Sequence, residues 1–200
     1  MKVKIKKEGK VKEFSLINSW SDVNLETWQK LLEFSKLTNT EEAVETITAL
    51  SNIPKKLIRE LSLHNVVVMM NKIAELQTKQ DGTLKRIIEV NGIEYGFHPD
   101  LDDITLGEYA DIETYIKAGI ENRLPELMAI LYRPVKHKNE NGFYTIEPYD
   151  GDIRLRSEEM KKMSSEQVQS AMVFFYAFVK EWLEIMQSSS IQVLKEMKKQ

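Results

Sequence analysis

A short pattern that occurs twice, at one fixed spacing, does most to limit what this chain can fold into. Asp22-Val23-Asn24-Leu25-Glu26-Thr27-Trp28 aligns with Asp103-Ile104-Thr105-Leu106-Gly107-Glu108-Tyr109, 81 positions later. Each copy runs acid, β-branched apolar residue, helix-capping residue, Leu, two small or acidic residues, aromatic. Asn24 and Thr105 are good N-caps because their side-chain oxygens accept from the first free N–H groups of a helix. Ala49-Leu50-Ser51-Asn52-Ile53-Pro54 likewise aligns with Ala129-Ile130-Leu131-Tyr132-Arg133-Pro134 at a spacing of 80. Proline disfavours helical geometry in the residue before it, so both segments read as helix ends. The expected fold is α+β and mainly α-helical. It has two pseudo-repeated units, each a β-hairpin followed by helices. Unit one spans 1–80 and unit two spans 81–187, with a polar insert at 135–152 and a tail at 188–200. Trp28 and Tyr109 are then equivalent residues packed toward a shared core.

Local patterns supply the elements. Lys2–Lys6 alternates polar and apolar, the period of a half-buried strand, and Glu8-Gly9 turns it back toward Leu16. Val3, Ile5 and Val11 are expected on its buried side. Asn91-Gly92 between Leu84–Val90 and Ile93–Phe97 predicts a two-residue type I′ hairpin, in which both turn residues need positive φ. Helices are expected from Asn24, from near Thr40 to near Asn52, over Lys55–Leu61 and over His64–Leu76. The last of these carries Val67, Met70, Ile73 and Leu76 on one stripe. Thr105 and Glu108 fit a capping box at the start of the next helix. Leu124–Leu131 follows it. A final helix runs from Ser164 or Ser165 to about Gln187, its stripe ending in Phe178, Trp182 and Ile185.

Composition narrows the chemistry. The 200 residues contain no cysteine, which removes disulfides, thiolate metal sites and cysteine nucleophiles. The longest apolar run, Ala171–Val179, is half of the roughly 18 residues a membrane span needs. The N-terminal residues carry no signal-like apolar region, so a soluble, intracellular or particle-bound protein is expected. Charge is uneven: residues 1–80 hold 13 Lys/Arg against 10 Asp/Glu, whereas residues 81–134 hold 5 against 11. The whole chain carries a net charge of −3, a poor footprint for nucleic acid. The lysine-rich hairpin at 2–12 is the one segment that favours a nucleic-acid-associated adaptor as the alternative reading.

No catalytic constellation emerges. Asp100, Asp102 and Asp103 lack the spacing and glycine of a calcium loop and read as a solvated helix start. His64, His98 and His137 have no serine or acid that the sequence places beside them. Neither phosphate-binding glycine motif is present. Metal, cofactor and catalytic residues are therefore expected to be none. The aromatic run Phe174–Trp182 reads as a core helix with a further face for a partner subunit. The most individual feature is Tyr132-Arg133-Pro134, followed by Tyr144, Glu147 and Tyr149. Arg133 either clamps the insert through Glu147, Asp150, Asp152 or backbone carbonyls, or forms part of a surface that receives a partner strand or peptide terminus. Tyr132, Arg133, Tyr149 and Trp182 are the candidate partner-binding residues.

Through Ser19–Leu25, Asp102–Tyr109 and Met128–Pro134, the chain resembles small structural and assembly proteins of tailed bacteriophages, most closely the tail-assembly-chaperone type. The resemblance covers residues 14–186 in short, degenerate motifs and stops at the 135–152 insert. It implies a non-enzymatic role: binding other phage structural proteins, the tape measure or tail proteins among them, during tail or head–tail assembly. It also implies a place in the host cytoplasm during assembly or in the virion, and an oligomer is compatible with it.

Overall fold

The computed structural model describes residues 1–7, 10–77 and 83–180. The Glu8-Gly9 turn, Trp182, the end of the last helix and the 188–200 tail lie outside the described residues.

The chain is α+β, with helices dominant and two antiparallel sheets. Strands β1 (Lys2–Lys7) and β2 (Lys10–Ser15) form a hairpin, and helices α1 (Leu25–Phe34), α2 (Asn39–Leu50), α3 (Lys55–Ile58) and α4 (Leu63–Gln77) follow. The second half holds β3 (Ile87–Val90), β4 (Ile93–Phe97), α5 (Leu106–Lys117), α6 (Leu124–Leu131), β5 (Tyr132–Lys138), β6 (Tyr144–Ile146) and α7 (Arg154–Met160). A last helix, α8, covers residues 165–180 as far as it is described.

Several starts and stops follow from single residues. Asn24 caps α1 by accepting from Thr27 N–H, and Thr38 caps α2 through Glu41 N–H. Asn91 and Gly92 take φ of 53° and 78°, which the I′ turn requires. α6 is apolar on every side, and all its residues but Glu126 are buried, so it forms the centre against which α1, α5 and α7 pack.

Two apolar clusters result. One is built from residues of β1, β2, α2, α3 and α4, with Trp20 and Val23. The other gathers the four-stranded sheet, α5 to α8, and Leu25 of α1. Trp28 is half-buried and packs against both. The halves are stitched together by backbone. Leu25 N–H donates to Met163 O (2.8 Å), Glu26 N–H to Lys161 O (3.1 Å) and Ser165 N–H to Val23 O (2.7 Å).

Two local features occur once in each half of the chain. A 3₁₀ turn at Trp20–Asp22 precedes α1, and another at Leu101–Asp103 precedes α5. Leu16 pairs with Ser51 and Phe97 with Tyr132; corresponding members of the two pairs lie 81 positions apart, one off the spacing of 80 that aligns Ser51 with Leu131 in the sequence. Beyond those points the halves part: Ser51 leads through Pro54 to α3, whereas Tyr132 opens β5.

Four expectations need correction. Val11 pairs with Lys6 and is exposed; Phe14, opposite Val3, shares the Val3–Ile5 face instead. The register puts directly opposed residues on one face, so Phe14 and not Val11 follows Ile5 inward. In α4, Ile73 is buried and Met70 and Leu76 pack against the same cluster as expected, but Val67 is exposed and its place at the helix start is taken by Val66 and Met69. The 135–152 insert is not merely polar turns: it carries β5 on as a hairpin with β6 and extends the sheet to the order β3-β4-β5-β6. Pro134 falls where pairing with β4 ends and before pairing with β6 begins, so its missing N–H is tolerated. Finally, α7 was not anticipated, although it contributes Met160 to the core and is led in by the buried Ile153.

Gly96 of β4 has a steric duty. A Cβ there would meet Tyr144 Cε2 at 2.5 Å and Ile146 Cγ2 at 2.8 Å, and the Tyr144 hydroxyl donates to Phe97 O at 2.7 Å. Gly96→Ala should destabilise the protein by about 1–3 kcal/mol in urea titration, with the sheet loosened at Tyr144. A midpoint equal to the wild type would show that the ring moves aside without cost.

Candidate protein-interaction site

Helix α5 joins the buried interior to an apolar surface, and one glutamate holds it in place. The capping box forms: Thr105 N–H and Oγ donate to Glu108 Oε2 at 2.8 and 2.6 Å, and Glu108 N–H donates to Thr105 Oγ. That leaves Oε1 facing the sheet. Arg133 of β5 places an Nη 2.9 Å from it, and His98 Nε2 lies at 3.7 Å. Glu108, Arg133 and His98 are 1%, 5% and 8% exposed.

Burial pushes the Arg133 guanidinium below its ordinary range, against the opposing pull of Glu108. Burial also pushes His98 below 6.5, with Glu108 opposing and Arg133 reinforcing. Among the described residues Arg133 Nε meets no acceptor. Such a pair costs desolvation, so it constrains geometry more than it adds net stability. One turn further along α5, Asp111 accepts from the Tyr149 hydroxyl, and the Tyr149 ring lies 6.0 Å from Arg133 Cζ. Burial, then Asp111, raises the Tyr149 phenol.

With its inner stripe committed in this way, α5 turns Tyr109, Ile112, Glu113 and Ile116 toward α8. There they face Phe175, Phe178 and Val179 across a cleft of about 220 Å³. Its lining is apolar apart from Glu113 and Lys117, which pair with each other at 2.9 Å. Ile116 is 40% exposed, and Phe174 and Tyr176 on neighbouring faces of α8 are exposed as well. An apolar cleft with a thin charged rim can receive the apolar face of another helix. A second apolar cleft, lined by Val44, Ile58, Leu61, Val66, Val67 and Met70, lies among α2, α3 and α4.

The candidate residues from sequence fall out unevenly. Tyr132 is fully buried, stacks edge-on against Phe97 and donates to Lys85 O at 2.8 Å, so it has no surface to offer a partner. Arg133 is also interior. Its carboxylate is Glu108, not Glu147, Asp150 or Asp152, because the α5 capping box lies directly against β5 while the insert carboxylates face solvent. The insert is held instead by the β5–β6 ladder, by Glu147 N–H donating to Pro134 O and by Tyr149 on Asp111. Tyr149 is half-buried beside the network, and Trp182 lies outside the described residues. Tyr109 is half-buried on the cleft wall, whereas Trp28 packs against both apolar clusters.

Sequence reasoning missed His98 as a neighbour of Glu108, and it missed Ile116. Ile116 carries a faint signal: Tyr109, Ile112 and Ile116 recur at helical spacing beside the stripe of Glu108 and Tyr115. Asp100 serves the 3₁₀ turn, accepting from Asp102 N–H. Among the described residues no helix is long and apolar enough to cross a membrane, and no His/Asp/Glu group is placed to hold a metal ion.

Two outcomes test the network. Glu108→Ala strands a buried guanidinium and should cost about 3–5 kcal/mol by denaturant unfolding, with Glu108→Ala/Arg133→Met recovering much of it. The pH test turns on His98, whose folded pKa lies below 6.5, so the unfolded chain binds its proton first as the pH falls. Its contribution to stability is complete above about pH 7 and declines as the pH drops through 6.5 toward the folded pKa. His98→Gln should remove that part of the slope; an unchanged slope would assign it to other groups.

The chain matches no protein-family model, no curated protein and no solved structure.

Proposed function

We propose that this is a non-enzymatic assembly protein of the tailed-bacteriophage kind, which binds other structural proteins during tail or head–tail assembly. The observation that carries the reading is the apolar α5–α8 cleft, whose α5 wall is tied to the sheet by the Glu108–Arg133 pair. The resemblance at Ser19–Leu25, Asp102–Tyr109 and Met128–Pro134 supplies the class of partner. The occupant is an amphipathic helix of a tail or tape-measure protein, bound in the host cytoplasm as the particle is built.

The same reading takes the two halves as copies of one hairpin–helix unit. The recurring 3₁₀ turn, the capped helix and the pairs Leu16–Ser51 and Phe97–Tyr132 support it. The nucleic-acid alternative draws little support. Lys2 and Lys4 share one face of the first hairpin with Glu13, which pairs with Lys2 at 2.7 Å, and Lys12 lies on the other face opposite Ile5. Among the described side chains, Lys2, Lys4 and Lys12 are therefore divided between two faces.

Co-expression with neighbouring capsid, portal and tail proteins, followed by affinity capture and mass spectrometry, tests the proposal. The wild type should retain a tail or tape-measure protein. Ile116→Asp, at a position already exposed, should keep its fold and lose roughly tenfold or more in affinity. Capture of no virion protein, or equal capture by Ile116→Asp, would overturn the reading.

A further inference from the structure

The first two turns of α4 are apolar on every side, yet most of their surface faces solvent. Six of the eight residues from Leu63 to Met70 are Leu, Val or Met. Only Met69 among them is buried: Leu63 is 78% exposed, Val67 46% and Val68 37%, and Val66 and Met70 are half-buried. A helix that is apolar all round is ordinarily covered all round. Leu63 and Val67 line the cleft among α2, α3 and α4, which has a volume of about 630 Å³ and also exposes Val44, Ile58, Leu61 and Met70. Val68 stands beside Val67 on the helix and widens the ridge.

The pattern of charge says what covers this face. Residues 61–71 hold no Asp, Glu, Lys or Arg, in a chain of which 30% is charged. A different protein can meet a charge with its opposite. About a two-fold axis a residue faces its own copy or a near neighbour, so a charge there is set against itself. Self-pairing therefore calls for a charge-free face, and α4 presents one. Two charged residues line the cleft, Glu41 in the first turn of α2 and Arg59 at the end of α3, and their signs are opposite. Two copies of this lining thus meet without net repulsion. Ridge and cleft also lie side by side, so one two-fold rotation seats each ridge in the other copy's cleft.

We propose that this face of α4 is the interface of a symmetric dimer of the chain. Leu63, Val67 and Val68 of each copy cover the α2–α3–α4 cleft of the other. The interface shares no residue with the α5–α8 cleft, so a dimer offers that cleft twice.

Sedimentation equilibrium of the full chain across the micromolar range tests the proposal. The wild type should reach twice the chain mass. Val67→Asp should raise the dimer dissociation constant by about tenfold or more, with an unchanged circular dichroism spectrum. Val68→Asp, at a position that does not line the cleft, should act in the same direction and guards against a folding defect in the first variant. Ile116→Asp should leave the mass unaltered, which separates this interface from the α5–α8 cleft. The absence of cysteine allows a second readout. Among single variants Leu63→Cys, Val67→Cys, Val68→Cys and Asn71→Cys, at least one should oxidise to a covalent dimer, because residues near the axis approach their own copies. Leu155→Cys, 84% exposed on α7, should not. A monomer at every concentration would overturn the dimer and leave the face to another protein or to residues 181–200. A dimer that persists in both Asp variants would overturn the interface.

Discussion

Everything in the second half of the molecule turns on a single carboxylate with two jobs. One oxygen of Glu108 closes the capping box that starts α5, and the other faces Arg133 of β5 and His98. The first job is local and would be done by a solvated glutamate in any helix of this sequence. The second is tertiary: it fixes the rotation of α5 against the sheet, because a buried charge cannot drift from its partner without a cost of several kcal/mol. That rotation decides which residues of α5 face inward, where Ile112 is buried, and which face α8 or solvent. The α5 wall of the cleft is a consequence of the same constraint.

The two halves hold together through backbone as much as through side chains. Lys161–Ser165, which connects α7 to α8, lies across the start of α1, and Ser165 Oγ also donates to Trp20 O at 2.8 Å. The groups bonded there include the free N–H groups that any helix start leaves exposed, so the contact satisfies them while burying Leu25. The start of α5 has only its capping box. The asymmetry arises because one chain has one such connecting segment and two places of similar shape.

Much of this was legible before folding. The caps at Asn24 and Thr105, the I′ turn at Asn91-Gly92 and the helix ends before Pro54 and Pro134 are determined within a few residues. Strand register was less legible: Val11 and Phe14 both suit an inward position, and the pairing of β1 with β2 decides between them. The site was legible only in fragments. Arg133 stood out as an unusual charge and Glu108 as a capping residue, but nothing in their spacing of 25 positions joins them. Ile116 looked like any helical apolar residue, since exposure is a property of neighbours.

By itself, then, the sequence determined the hairpins, most helix boundaries, the absence of thiol chemistry and the recurrence of one helix-starting pattern. These depend on side chains acting on backbone groups a few positions away. Tertiary structure alone decided the partner of Arg133, the role of the 135–152 segment in continuing β5 and supplying β6, and the burial of Leu25 while Leu106 stays exposed. Those outcomes depend on which distant surface arrives, and burial and charge pairing are settled only when the whole core closes.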